Sequence, residues 1–213
     1  MSANLGGNND PASSGSLSGT KAGEVKLQKL LERATSRFNI GQYIEAQEVC
    51  DQIYDVDAFR TDNLLLLGAI HFQLSNYSEA IFYNQQCIRV DPSFAEAYSN
   101  LGNALKELGD VQAAVQFYNK SIKLKPRFPD AYNNLACAYM QLGEMEQAME
   151  TYQMALVLNP ALVDAHSNLG NLCKAQGDLD SAKKCFLEAI RIKPDFAIAW
   201  SNLAGVFKEE GQL

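Results

Sequence analysis

Between residues 95 and 125 the apolar positions follow a helical period twice. Tyr98, Leu101, Gly102 and Leu105 stand at i, i+3, i+4 and i+7, one face of a first helix. Ala114, Phe117, Tyr118 and Ile122 form the face of a second. Gly109 lies between them and suits the left-handed backbone that follows a helix C-cap. Asp110 suits the N-cap of the next helix. Pro126 ends that helix, because proline has no N–H and its ring clashes with the preceding turn.

The pattern then returns. Pro92, Pro126, Pro160 and Pro194 stand 34 residues apart, as do Gly109, Gly143, Gly177 and Gly211, and Ala46, Ala80, Ala114, Ala148 and Ala182. With the proline at position 32, the repeats are 27–60, 61–94, 95–128, 129–162, 163–196 and a partial one at 197–213. A helix pair with this period resembles the tetratricopeptide repeat (TPR), so the fold expected over 24–213 is all-α, a TPR superhelical solenoid of antiparallel helix pairs. Small residues at positions 8 (Gly102, Ala136, Gly170, Ala204) and 20 let helices approach closely, and Tyr118, Tyr152 and Phe186 are expected to fill the gap between neighbouring repeats. The first two repeats are degenerate: Ala58 replaces a proline, and Ser75-Asn76 replaces a glycine turn. At the C-terminal end, Trp200, Leu203, Ala204 and Phe207 lie on a first helix whose partner is not in the chain. Its aromatics are expected to be uncovered and to favour self-association, as in a piece of a longer protein.

Composition narrows what such an array does. A net charge of −7 argues against nucleic acid, whose backbone is held by clustered Lys and Arg. No apolar run reaches the ~18–20 residues of a bilayer span, so no membrane partner is expected. Residues 1–23 are rich in Gly, Ser and Asn and read as a disordered tail, not a secretory signal. The five cysteines form no CxxC pair and read as free thiols of a reducing compartment. His71 replaces a core aromatic and His166 stands where Tyr98, Tyr132 and Trp200 stand, so both read as structural. With no HExxH, phosphate-cradling glycine loop or GxSxG, no catalytic, cofactor or metal site is expected in this chain.

One surface pattern calls for a ligand. Asn100, Asn134, Asn168 and Asn202 all occupy position 6, although asparagine is a mediocre helix residue. Position 2, one helical turn earlier, carries Glu96, Asp130 and Asp164, and position 9 adds Asn103 and Asn171. Stacked repeats turn these into a ladder of amides, each with donors and an acceptor, able to hold the backbone of an extended polypeptide without choosing its side chains. A structural role, linking one repeat to the next, would produce the same period.

FAEAYSNLGNALKELGD (94–110), FPDAYNNLACAY (128–139), HSNLGNLCKAQGDLDSAKKCF (166–186) and FAIAWSNLAGVF (196–207) resemble the N-terminal TPR region of the eukaryotic O-GlcNAc transferase family, as does the degenerate LLLLGAIHFQLSNYSEA (64–80). The resemblance implies a right-handed superhelix whose inner asparagines, here Asn100, Asn134, Asn168 and Asn202, hold substrate polypeptides in extended form. Its acidic contacts correspond to Asp130 and Asp164, and with Glu32 and Leu66 at position 6 the ladder does not reach the first two repeats. It implies a nuclear and cytoplasmic protein whose catalytic half, absent here, transfers N-acetylglucosamine from UDP-GlcNAc to Ser and Thr. A plant O-fucosyltransferase would look similar in this segment, and a non-enzymatic scaffold is the competing class. A chaperone-tail clamp is rejected, because positions 2, 5 and 6 hold Glu96, Ser99 and Asn100 where a carboxylate clamp needs cations.

Overall fold

A computed structural model describes residues 20–211, which hold eleven α-helices and no strand. Two compact units divide at Ala58/Phe59.

The first unit is a helix pair, α1 (Lys21–Asn39) and α2 (Tyr43–Tyr54). Thr20 caps α1 by accepting from the Gly23 N–H at 3.0 Å, satisfying one of the otherwise orphaned first-turn donors. The helix therefore starts inside the stretch expected to be a tail; residues 1–19 of that stretch lie outside the described residues. Leu27, Ala34, Ala46, Val49, Cys50 and Ile53 form the buried face of the pair.

The second unit holds four helix pairs and a final single helix. The pairs are α3 (Thr61–Gln73) with α4 (Tyr77–Val90), α5 (Ala95–Glu107) with α6 (Val111–Leu124), α7 (Pro129–Leu142) with α8 (Met145–Leu158), and α9 (Val163–Ala175) with α10 (Leu179–Ile192). The last helix is α11 (Ala197–Glu209). Each inter-helix turn carries a left-handed residue at the same register: Gly109 at φ 88°, Gly143 at 78°, Gly177 at 80° and Gly211 at 72°. Ser75 keeps the turn in 61–94 at φ 60°, the only non-glycine with positive φ among the described residues. Asp110 and Asp178 cap the second helices, accepting from the backbone N–H of Ala113 and Ser181.

The large position-24 residues do more than fill the gap between neighbouring repeats. A Cβ on Gly102 would come within 2.7 Å of Tyr118 Cε1, and one on Gly170 within 2.6 Å of Phe186 Cε1. The rings thus lie first on position 8 of their own repeat. Tyr118 also packs with Leu135 and Ala138 of the next repeat in one cluster, so it joins the two helices of a pair and then the pair to its neighbour.

In the second unit each second helix touches the following first helix, and first helices touch one another along the row α3, α5, α7, α9, α11. Among the described residues no second helix of this unit contacts another. The first helices therefore form the inner row of the stack, which is the row that carries the asparagines.

Candidate peptide-binding surface

Asn100, Asn134, Asn168 and Asn202 recur at one register on α5, α7, α9 and α11, and all four are half-buried. Their side chains differ in how they are engaged. Asn100, Asn134 and Asn202 have no protein hydrogen-bond partner among the described residues. Asn168 donates from Nδ2 to Asn133 Oδ1 at 3.2 Å and lies 3.4 Å from Cys137 Sγ, both on the preceding first helix. That rung ties two repeats together, and its acceptor Oδ1 is what it leaves to a ligand.

Position 9 is also uneven. Asn103 accepts the Tyr118 hydroxyl at 2.7 Å through Oδ1. Burial raises the Tyr118 phenol well above its ordinary pKa, which keeps it a donor. The bond engages Asn103 at Oδ1 and leaves its Nδ2 without a protein acceptor among the described residues. Asn171 is exposed, and in 129–162 the place is taken by Cys137, which accepts the Tyr152 hydroxyl at 3.3 Å. The acidic stripe is narrower than its period suggests. Glu96 is ion-paired with Lys125, whereas Asp130 and Asp164 are exposed and have no ion pair among the described residues.

Between α3 and α5 lies a pocket of about 140 Å³ lined by Ala69, Phe72, Gln73, Asn100 and Asn103. Nothing in the 34-residue period marks it, since Ala69, Phe72 and Gln73 belong to the degenerate repeat.

The rings at position 4 have a structural task that periodicity did not reveal. Tyr98 donates to the Pro92 carbonyl at 3.2 Å, Trp200 Nε1 to Pro194 at 2.9 Å, and His166 Nε2 lies 2.9 Å from the Pro160 carbonyl. Three ring types with one polar tip each latch a first helix to the proline that ends the previous repeat. His166 is therefore held as an N–H donor at Nε2. The cysteines are free thiols; burial pushes Cys87 up to about 12 and Cys185 to about 11, so neither is a thiolate nucleophile near neutral pH. Trp200 is 52 % exposed as expected, but Phe207 is half-buried and packs against the cluster containing Leu203 and Val206. Among the described residues no group of three or more His, Cys, Asp or Glu is placed to hold a metal ion, and no helix is long and apolar enough to cross a membrane.

The family model "TPR repeat" matches residues 68–109, 102–143 and 136–177, together over half of the chain, and "Tetratricopeptide repeat" matches 163–196. The chain is a tetratricopeptide-repeat protein. Solved TPR structures share its fold. TTC0263, a thermophilic TPR protein of Thermus thermophilus, is similar at TM-score 0.76 and 18 % identity, covering 85 % of this chain and 99 % of its own. MamA is similar at TM-score 0.62 and 26 % identity, covering 77 % and 96 %. YrrB, described as a TPR protein with an unusual peptide-binding site, is similar at TM-score 0.58 and 17 % identity, covering 81 % and 89 %. No curated protein matches. TPR arrays are protein-interaction modules, and the inner row of first helices is where this one presents unengaged amides.

Proposed function

We propose that this TPR chain is the polypeptide-recognising arm of a protein O-GlcNAc transferase that glycosylates Ser and Thr of nuclear and cytoplasmic proteins. The observation that carries the binding half of the reading is the repeat of partnerless amides at Asn100, Asn134 and Asn202 on the inner helices. A half-buried amide with free donors and a free acceptor gains by pairing with a peptide group. Asn168, Asn103 and Asn171 extend the track, and the exposed Asp130 and Asp164 flank it, suited to N–H, hydroxyl or cationic groups. The motifs between 64 and 207 support the glycosyltransferase half. In this reading the UDP-GlcNAc donor and all catalytic residues belong to another part of the parent protein, and this chain alone is inactive. A net charge of −7 supports partners other than nucleic acid.

Two experiments test the two halves. Replacing Asn100, Asn134 and Asn168 together with Ala is expected to abolish capture of extended peptides while the helical melting is retained; undiminished capture overturns the ladder. The coding sequence beyond Leu213 is expected to lead into a glycosyltransferase domain; a stop codon or an unrelated domain there removes the enzyme assignment. The Asn168–Asn133 bond favours a second use for that rung, linking one repeat to the next.

A further inference from the structure

We propose that the pocket between α3 and α5 is a side-chain subsite at one end of the peptide track, and that it takes glutamine or asparagine. The inference rests on the peptide-binding reading and adds selectivity to it, since the ladder by itself contacts only backbone. Size comes first. The volume is about 140 Å³. A cavity of about 10–15 Å³ already holds a water, so this one has room for a whole amide side chain. Size admits asparagine and glutamine, and the choice among side chains falls to the chemistry of the lining. Chemistry comes second. Ala69 and the face of Phe72 offer apolar contact for methylenes, and the Phe72 ring is itself steadied by Tyr77 at 5.6 Å between centroids. None of the five lining residues is charged, so an ionised side chain would lose hydration without gaining a counter-charge. Orientation comes third. Tyr118 holds Asn103 by its Oδ1, leaving the Nδ2 hydrogens to an incoming acceptor. Asn100, with no protein partner, and the exposed Gln73 can accept from an N–H. An amide head, one acceptor and two donors, satisfies this set; an aliphatic side chain of the same size leaves the Asn103 donor unmatched.

The test is selection from a random-sequence peptide library on the full chain, on Ala69→Phe and on Gln73→Trp. Both substitutions fill the pocket, and Gln73 is exposed near the end of α3, so that variant keeps its fold. The parent is expected to select peptides with Gln or Asn recurring at one position. In both variants that recurrence should vanish, with a selected peptide weakened about tenfold and its alanine counterpart little changed, as expected for about one lost hydrogen-bonded contact. If Ala69→Phe melts abnormally, Gln73→Trp decides alone. Recurrence that survives pocket filling, or a parent that prefers charged or aromatic residues or none, overturns the subsite and leaves the peptide track standing. Failure of the parent to bind any peptide overturns the track, and the subsite with it.

Discussion

In repeat 95–128 a tyrosine ring lies under Gly102; at the same place in repeat 61–94 an asparagine lies under Gly68. Tyr118 and Asn84 are both fully buried. The tyrosine has its hydroxyl satisfied by Asn103. Asn84 donates to the Ala80 carbonyl at 2.7 Å, yet its buried Oδ1 has no hydrogen-bond partner. The turns differ likewise: Gly109 in one, Ser75 forced to φ 60° in the other. At position 27, Ser121 donates to the Ala95 carbonyl at 2.8 Å, while Cys87 makes the weaker sulfur contact to Thr61 at 3.6 Å. The two repeats share their backbone and differ in how well it is supported. Backbone geometry is over-determined by the stack, so an individual position can carry a poor residue and keep its shape.

The largest effect is expected at the ring. Tyr118→Ala should lower stability by ~3–5 kcal/mol, because it empties a fully buried site. Asn84→Ala should cost about 1 kcal/mol, since it also removes an unsatisfied acceptor. Equal losses in urea unfolding would abolish the contrast. Next is the close approach: Gly102→Ala should cost ~1–3 kcal/mol, because its methyl meets a ring closed in on all sides. Gly68→Ala meets the buried Asn84 amide, which must give up its bond to the Ala80 carbonyl to move aside, and should cost at least as much. A thermal melt of both variants decides their order. Smaller, and opposite in sign, is the turn. Ser75→Gly should raise stability by about 1 kcal/mol by relieving a left-handed serine, while Gly109→Ser should lower it similarly. The smallest effect concerns the caps. Asp178 is held below the ordinary carboxylate range by its bonds to Ser181, so its contribution is present above the unfolded-state pKa and is lost as pH falls through the folded one. The melting difference between the parent and Asp178→Ala should be full at neutral pH and shrink below about pH 4; a pH-independent difference would deny the cap its charge. Asn76, which makes no side-chain cap, should gain from Asn76→Asp under the same titration.

Much of this architecture was legible in the sequence, since period, glycine turns and prolines are local signals that each unit repeats. Turn glycines announce a positive φ, and Asp110 announces a cap. The rows of asparagine were visible as well. Their inequality was not. Asn168 and Asn134 have the same register, and only the neighbour's Asn133 and Cys137, brought near by stacking, separate the engaged amide from the free one. The latch from Tyr98, His166 and Trp200 to the preceding proline carbonyl was hidden for a related reason. Tyr, His and Trp share no property on a hydrophobicity scale, and what unites them is a ring with a polar edge at the right reach. The start of α1 at Lys21 was missed because the Gly/Ser/Asn bias of the preceding residues outweighed a single cap at Thr20.

The one-sided contact between helices has a mechanical consequence. In the second unit each repeat meets the next through two contacts, second helix on following first helix and first helix on first helix, while no second helix is locked to another. A small rotation at each repeat then adds up along the array. The asparagines stand on successive first helices, so a change in that rotation would alter their spacing along the row.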